Sequence, residues 1–290
     1  MGGVEIWDCG LGRSRVHNMI VSAKAVLTKA VALDADVYQV SELELLKVGL
    51  SLRKKGSSVI FHLREDYPNL ILGKSYVPRI FRKPLSLFVA RILRRMLPKY
   101  DIIFPVTTKL VDDLKKQSIK NVCLLANYPV INNGFSLTFD QYCEREIIMV
   151  YFGTIYRVSR QETVFDALSR LPQLTYLLMG KMEDLEYSEQ LRHHPYWSRV
   201  SFIDGFNHEE MSAIVNRARF SNVLRDFAQA GMPEGSLGVL KMFESMEAAL
   251  PIVCSDVKIN RWIIEKYRCG LCVDPNDPEA ICEAVRYLIS

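Results

Sequence analysis

Short runs of β-branched and other apolar residues alternate along the chain with longer stretches in which apolar residues recur at helical spacing. In the first half this pattern predicts strands at 35–40, 57–63, 101–106 and 121–126, and helices at 42–56, 84–100 and 109–118. Strands separated by helices of this length are typical of parallel βαβ units in a doubly wound sheet. We therefore expect an α/β fold.

The pattern stops after residue 126 and resumes near residue 145. The intervening stretch is rich in turn formers, so we predict that it links two domains, at 1–135 and 145–290. In the second half the alternation predicts strands at 146–152, 175–180, 199–205, 220–224, 251–255 and 271–273, and helices at 161–171, 207–218, 238–249, 259–267 and from 278 onward. The expected architecture is two Rossmann-like domains facing each other across a ligand-binding cleft.

Composition narrows the class of protein. The 290 residues are 49% hydrophobic and 24% charged, which excludes a disordered chain, a collagen and a small disulfide-stapled scaffold. No apolar run approaches the roughly 18 residues that a membrane span needs. The start, MGGVEIWDCG, lacks the basic and apolar regions of a signal peptide. We therefore expect a soluble, cytoplasmic protein.

The seven cysteines are too few and too irregularly spaced for a disulfide framework. Cys269 and Cys272 have the Cys-x-x-Cys spacing of a zinc or redox motif, but no second pair follows at ligand spacing. Their setting, RCGLCVDP, favours a short buried strand after a turn. We therefore predict no metal site.

Charge is distributed unevenly between the two predicted domains. Residues 1–135 contain 21 Lys and Arg against 11 Asp and Glu, a net charge of +10, whereas the remainder contains 16 against 22, a net charge of −6. This asymmetry indicates an anionic partner for the first domain. In the stretch 81–99, basic residues alternate with apolar ones, which is typical either of a core helix with a basic outer face or of a helix lying on an anionic membrane. No aromatic stacking platform or recognised module accompanies the charge, so we do not expect a nucleic-acid partner.

The segment 234–256 carries the most informative chemistry. In the helix that follows Gly238, apolar residues recur at helical spacing and are expected to face the core: Met242, Phe243, Met246, Ala249 and Leu250. Lys241 and Glu244 lie three residues apart on another face. They can form a solvated salt bridge of about 0.2–0.5 kcal/mol, or they can bind the phosphates and a sugar hydroxyl of a nucleotide ligand at a Gly-rich helix start.

This segment resembles the donor-site signature of retaining glycosyltransferases of the GT-B fold (group 1, family 4-like). The residues that carry the likeness are Gly238, Lys241, Phe243, Glu244, Met246, Pro251, Ile252, Val253, Ser255 and Asp256. VYFGTIYR (150–157) and LLMG (177–180) are similar to the first two strands of the family's donor domain, and 35–44 and 59–68 to its acceptor-side strands. The likeness starts at a middle strand of the first domain and ends before a terminal helix, so we expect an incomplete N-terminal domain and a chain shortened at both ends.

The resemblance implies a set of donor-binding residues. Glu244 corresponds to the carboxylate that binds the donor ribose, and Gly153 to the position of close backbone approach to the diphosphate. Arg157 and Arg160 are the candidates for the cation pair that neutralises the diphosphate, with Lys241 as a second candidate; the alternative for either arginine is a solvated loop cation. Gly180 lets the chain turn beside the base or is a plain turn glycine. The family's other acidic residue would fall at Ser236, two residues after Glu234, and either of these is expected to meet the sugar, near Gly238.

On the acceptor side, Glu65 matches the family's carboxylate. Glu65 and Asp66 can act as a general base or orient an acceptor hydroxyl, or they belong to a charged loop after a strand. Arg64 stands where the family commonly has a His, and His62 lies two residues earlier on the same face of the predicted strand. The sequence leaves open which of these two meets the sugar.

These likenesses imply an enzyme of the EC 2.4 class that moves a sugar from a nucleotide diphosphate-sugar to a saccharide or lipid-linked acceptor, with retention, in surface polysaccharide or glycolipid assembly. No cofactor is implied beyond the donor. Two alternatives stand beside this hypothesis: a catalytically degenerate nucleotide-sugar binder or partner protein, and a nucleotide-sugar epimerase of the same fold. A basic helix at 81–99 would add peripheral contact with the inner face of the membrane.

Overall fold

The computed structural model describes residues 3–10, 21–73, 77–129, 137–230 and 240–290. The chain forms two compact units, Met1–Asn127 (unit 1) and Tyr128–Ser290 (unit 2). Each has its own parallel β-sheet. The predicted α/β class with Rossmann-like units is confirmed.

Unit 1 contains a three-stranded parallel sheet with β2 in the centre. Its elements are α1 (Ala23–Leu33), β1 (Val37–Val40), α2 (Leu46–Arg53), β2 (Ser58–Leu63), α3 (Tyr67–Gly73), α4 (Arg79–Met96), β3 (Ile102–Pro105) and α5 (Thr108–Lys116). Side chains alternate along β2: Val59, Phe61 and Leu63 are buried in the core, whereas Ile60 and His62 point to the other face and are half-buried.

Unit 2 contains a six-stranded parallel sheet in the order β6-β5-β4-β7-β8-β9. The elements are α6 (Phe139–Cys143), β4 (Glu146–Phe152), α7 (Gln161–Leu168), β5 (Thr175–Met179), α8 (Leu185–Arg192), β6 (Val200–Ile203), α9 (His208–Val215), β7 (Ala218–Val223), α10 (Leu240–Glu247), β8 (Ile252–Ser255), α11 (Lys258–Tyr267), β9 (Gly270–Val273) and α12 (Pro278–Ile289). From β4 the chain adds β5 and β6 on one side, and then β7, β8 and β9 on the other. The carboxyl ends of β4 and β7 therefore form the switch point at which such sheets bind ligands.

Most predicted strands of unit 2 are found within one or two residues, because their buried apolar runs are unambiguous. Unit 1 differs more from expectation. The segment predicted as a strand at 121–126 forms an isolated bridge between Val122 and Ile103. The helix predicted to start at Pro84 starts at Arg79. Pro84 removes the hydrogen bond to the carbonyl of Ile80, and Ile80 is exposed, so water can replace that bond.

Four helices lack a strong periodic signal and are not predicted: α1, α3, α6 and α8. Local capping explains three of them. Asp66 accepts from the Asn69 amide at the start of α3 and Asp184 from the Tyr187 amide at the start of α8. Thr138 and Gln141 form a capping box at α6, inside the stretch where we expected no regular structure.

Candidate functional site

Two glycines follow β4 and β5 at the carboxyl edge of the sheet of unit 2. Gly153 has φ +119° and Gly180 has φ +144°, conformations that side chains rarely adopt. The Gly153 amide donates to the Met179 carbonyl at 3.0 Å. A Cβ at Gly180 would overlap the carbonyl oxygen of Gly153. Gly180 is therefore required by the close packing of these two backbones.

The ammonium group of Lys241 lies beside this glycine turn. Its Nζ is 3.5 Å from the ring centroid of Tyr151, a residue only 2% exposed, and would be 3.5 Å from a Cβ placed on Gly153. The Tyr151 hydroxyl donates to the Thr154 carbonyl at 2.9 Å. Within the described ranges, Lys241 has no ion-pair partner among the carboxylates. A cation held against an aromatic face next to a glycine turn can bind a phosphate group.

Glu244 lies one helical turn after Lys241 on α10 and is half-buried. The next residue, Ser245, is buried and its hydroxyl donates to the Lys241 carbonyl at 2.7 Å, which fixes this turn of the helix. Three further predicted donor residues lie outside the described residues: Glu234, Ser236 and Gly238.

Arg157 and Arg160 lie in the loop after β4 but have different surroundings. Arg157 donates to the amide oxygen of Gln190 at 2.9 Å and lies 3.5 Å from Asp184 and 3.6 Å from Glu186. The guanidinium of Arg160 pairs with Glu162 at 2.9 Å, and its buried Nε has no hydrogen-bond partner among the described residues. Arg160 therefore retains a donor for a ligand, whereas Arg157 is bound to α8. Their roles in donor binding stay predictions.

A buried network of hydrogen bonds positions Glu162, the ion-pair partner of Arg160. The Tyr176 hydroxyl donates to Oε1 of Gln161 and accepts from Nδ2 of Asn222 at 2.7 Å. The Tyr187 hydroxyl accepts from the Gln161 amide at 2.9 Å and donates to Glu162, the carboxylate that holds Arg160. Burial raises the pKa of Tyr176 and of Tyr187 well above the usual tyrosine value, so both remain neutral donors.

The loop after β7 contributes a residue that sequence reasoning missed, Arg225. The Ser255 hydroxyl accepts from the Arg225 amide and donates to the Arg225 carbonyl, both at 2.7 Å. The next amide, of Asp226, donates to the Val158 carbonyl at 2.7 Å, which joins this loop to the one after β4. A charged residue directly after the strand predicted at 220–224 was the signal that could have identified it.

In unit 1, His62 lies on the half-buried face of β2. Its Nδ1 is 3.4 Å from Nε2 of Gln39, and its buried Nε2 has no partner among the described residues. Burial, with a smaller contribution from Arg64, lowers the pKa of His62. A neutral imidazole with an unused nitrogen can accept or donate one hydrogen bond to a ligand.

The residues that follow β2 are exposed and charged. The Arg64 guanidinium lies 3.9 Å from Glu42, and Glu65 is exposed. The next residue, Asp66, accepts from Asn69 at 2.6 Å and lies 3.2 Å from the Lys109 ammonium, so it caps α3. Burial and nearby carboxylates, including that of Glu65, raise the pKa of Tyr67 to about 12. The chain therefore brings a negative and a positive side chain together at the end of β2, and their catalytic roles stay predictions.

Cys269 and Cys272 lie beside and in β9, as the structural interpretation of that motif expects. The Cys272 sulfur is 3.7 Å from that of Cys254 on the adjacent strand, and both thiols are free. The parts of the chain that the structure describes contain no cluster of His, Cys, Asp and Glu suited to a metal ion.

Several solved structures share this fold. Anabaena HepE in complex with UDP-glucose is 13% identical and covers 96% of this chain and 75% of its own, with a TM-score of 0.67. S. aureus MnaA with UDP is 13% identical over 97% of this chain and 73% of its own, with a TM-score of 0.56. A UDP-N-acetylglucosamine 2-epimerase is 13% identical over 96% and 71%, with a TM-score of 0.55. No curated protein sequence matches the chain.

At these identities the structural likeness establishes the fold, which is of the GT-B class. The family described as glycosyl transferases group 1 matches residues 141–290, which include the whole sheet of unit 2 and just over half of the chain. Both findings agree with the resemblance carried by 234–256. The chain belongs to the glycosyl transferases group 1 family.

Proposed function

We propose that this chain transfers a sugar, with retention of anomeric configuration, from a nucleoside diphosphate sugar bound by unit 2 to an acceptor bound by unit 1. The observation that carries the proposal is the ammonium of Lys241 at the Gly153 turn, at the switch point of a group 1 sheet. The solved neighbours bound to UDP-glucose or UDP support a nucleotide sugar as the donor.

The chemistry of such a transfer explains why cations are needed. As the bond between sugar and diphosphate breaks, negative charge develops on the leaving phosphate, and positioned cations stabilise it. Lys241 and Arg160 supply that charge, Gly153 lets the phosphates approach the backbone, and Glu244 accepts hydrogen bonds from ribose hydroxyls. The acceptor hydroxyl attacks on the face that the diphosphate leaves and gives its proton to the leaving phosphate as the bond between sugar and phosphate breaks, so no protein nucleophile is required. Unit 2 therefore promotes the transfer by positioning the donor and by stabilising the charge on the leaving phosphate.

The test is donor binding by wild-type protein and by Lys241→Met. We expect titration calorimetry with UDP, GDP and ADP to identify one tight nucleotide, and the variant to lose at least about tenfold in affinity, the value of one charge-assisted hydrogen bond. Lys266→Met is the matched control, because Lys266 also lies over an aromatic ring, at 4.9 Å from Trp262, on α11. Equal affinity in the Lys241 variant, or no nucleotide binding by the wild type, would contradict the proposal.

The acceptor half of the proposal rests on Glu65, with His62 or Arg64 contacting the sugar. Glu65→Gln should lower the rate of sugar transfer and leave the affinity for nucleotide unchanged. Nuclear magnetic resonance of the product reports whether the anomeric configuration is retained. Conversion of UDP-N-acetylglucosamine to its 2-epimer would instead identify an epimerase, the activity for which one structural neighbour is named. Binding without turnover would identify a degenerate binder.

We further propose that α4 contacts an anionic membrane, which suits a lipid-linked acceptor in surface polysaccharide or glycolipid assembly at the cytoplasmic face. The first half of its exposed side carries four large apolar side chains beside the exposed Arg79 and Lys83: Ile80, Phe81, Leu87 and Phe88 are 76%, 58%, 63% and 61% exposed. The second half is basic and carries exposed Arg91, Arg94 and Arg95. Exposed aromatics beside arginines suit the interface of anionic lipids. None of the described helices is both long and apolar enough to span a bilayer.

Vesicle sedimentation tests this contact. We expect binding to vesicles of phosphatidylcholine and phosphatidylglycerol, weakened by salt, and little binding to phosphatidylcholine alone. The double variant F81S/F88S should lose most of the binding. Tyr287→Ser is the control, because Tyr287 is 71% exposed on α12 of unit 2. Equal sedimentation of F81S/F88S and wild type would show that α4 is not the contact surface.

A further inference from the structure

Arg225 is held rigidly at the carboxyl edge of the sheet of unit 2. It comes two residues after β7, and its neighbours Leu224 and Phe227 are 2% and 3% exposed. Ser255 bonds both its amide and its carbonyl, and the adjacent Asp226 amide bonds Val158 in the loop after β4. The backbone of Arg225 is therefore fixed by the end of β8 on one side and by the loop after β4 on the other.

The side chain of Arg225 keeps a hydrogen-bond donor that no described residue uses. Its Nε is buried and has no hydrogen-bond partner among the described residues, and its guanidinium forms no ion pair with a described carboxylate. The guanidinium lies over the ring of Phe227, with Cζ 5.8 Å from the ring centroid. A buried donor without a partner costs free energy, so a fixed loop that keeps one is suited to a ligand.

The position of Arg225 in the sheet indicates the kind of ligand that it binds. Arg225 follows β7 and Gly153 follows β4, and these two strands flank the switch point of the sheet. Arg160, whose Nε is also buried and without a partner among the described residues, lies two residues after Val158, whose carbonyl bonds the Arg225 loop. A guanidinium presents paired donors in a plane, which matches the oxygens of a phosphate or a carboxylate.

We propose that Arg225 is a further oxyanion-binding residue for the donor, in addition to Lys241 and Arg160; the inference rests on the proposed function. The oxyanion is either the diphosphate of the donor or a carboxylate on its sugar, and both present the same chemistry to the guanidinium. Arg225 therefore determines affinity for the diphosphate in the first case, and selects an acidic sugar in the second.

The experiment compares wild type, Arg225→Gln and Arg225→Lys by titration calorimetry with uridine, UDP, UDP-glucose and UDP-glucuronate, and with GDP and ADP to fix the base. If Arg225 binds the diphosphate, Arg225→Gln loses at least about tenfold in affinity for every diphosphate and none for uridine. If it binds a sugar carboxylate, the loss is confined to UDP-glucuronate. Arg225→Lys keeps the positive charge but lacks the planar guanidinium. Its affinity for the ligand should therefore lie between those of the wild type and Arg225→Gln.

Arg192→Gln is the matched control, because the Arg192 guanidinium also lies over aromatic rings, 5.5 Å from Trp197 and 5.3 Å from Phe202. It should bind every ligand as the wild type does. Unchanged affinities in both Arg225 variants, with a wild type that binds nucleotides, would overturn this inference and leave the proposed function standing. A wild type that binds no nucleotide would overturn both. Should Arg225→Gln fail to fold, Arg225→Lys still decides the question.

Discussion

Unit 2 places arginines at both ends of its sheet, and the two groups are bonded differently. At the amino edge, Arg145 precedes β4, Arg199 precedes β6 and Arg219 lies at the start of β7. Arg145 donates to the Ala248 carbonyl at 3.1 Å, Arg199 to the Leu171 carbonyl at 2.9 Å, and Arg219 to the carbonyl of Arg145. At the carboxyl edge, Arg160 and Arg225 each keep a buried Nε without a partner among the described residues.

The comparison separates two uses of the same side chain. The carbonyls at the amino edge belong to the carboxyl ends of α6, α7 and α10 and the turns after them, where a cation complements the helix dipole and satisfies unpaired acceptors. Those arginines stabilise the fold. The carboxyl edge is where a doubly wound sheet binds ligands, and donors left unpaired there are suited to an external acceptor. Variants of the first group should change stability, and variants of the second group should change binding.

The largest effect is expected from the backbone of the carboxyl edge. In Gly180→Ala, the new methyl group would overlap the Gly153 carbonyl at a φ of +144°. Strain and overpacking together should lower the free energy of unfolding by about 3 kcal/mol, measured by urea denaturation. Gly205→Ala is the control, because Gly205 has φ +75° and only ordinary contact with Lys181, and it should lose less. Equal losses would show that backbone conformation alone, and not the Gly153 contact, constrains Gly180.

At the amino edge, Arg145→Met should lower the free energy of unfolding by about 2 kcal/mol, because buried carbonyls lose their donor. Arg217→Met is the matched control: Arg217 pairs with Glu146, both side chains are more than half exposed, and a loss of no more than about 0.5 kcal/mol is expected. Arg225→Met should be as stable as the wild type. If Arg145→Met and Arg225→Met destabilise the protein equally, the distinction between the two edges fails.

The buried network beneath Arg160 should give a smaller effect. Tyr176→Phe leaves Nδ2 of Asn222 and Oε1 of Gln161 without their shared partner, at a cost of about 1–2 kcal/mol. Donor affinity should fall as well, because Gln161 and Glu162 help to position Arg160. Tyr142→Phe is the control, because its hydroxyl makes one bond of 3.1 Å to the Arg219 carbonyl at the other edge. Tyr142→Phe should leave donor affinity unchanged. If Tyr176→Phe also binds the donor as the wild type does, the buried network does not contribute to donor binding.

The sequence predicted the strands of unit 2 because residues such as Met149, Tyr176 and Val253 form continuous apolar runs that only a buried parallel strand accommodates. The resemblance to GT-B glycosyltransferases, and not the alternation of strands and helices, indicated Gly153, Gly180 and Lys241 as candidate donor-binding residues. Arg225 could not be predicted from the sequence, because whether its Nε has a hydrogen-bond partner depends on the folded structure. The same residue with a carboxylate nearby would be an ordinary surface cation. Periodicity also misplaced Ala249, which was expected to face the core and is exposed.

The smallest effect is expected at Ala249, beside the carbonyls that Arg145 binds. Its φ of +51° lies in the left-handed region, and the bonds from Ala249 to Met246 and from Leu250 to Ser245 close the end of α10 as a terminal glycine would. Ala249→Gly removes the steric cost of about 1–2 kcal/mol but makes the unfolded chain more flexible. A net gain of about 0.5 kcal/mol in the free energy of unfolding is therefore expected. Ala248→Gly, at a buried neighbour without positive φ, should instead lose stability, and a loss at both positions would mean that Ala249 is not strained.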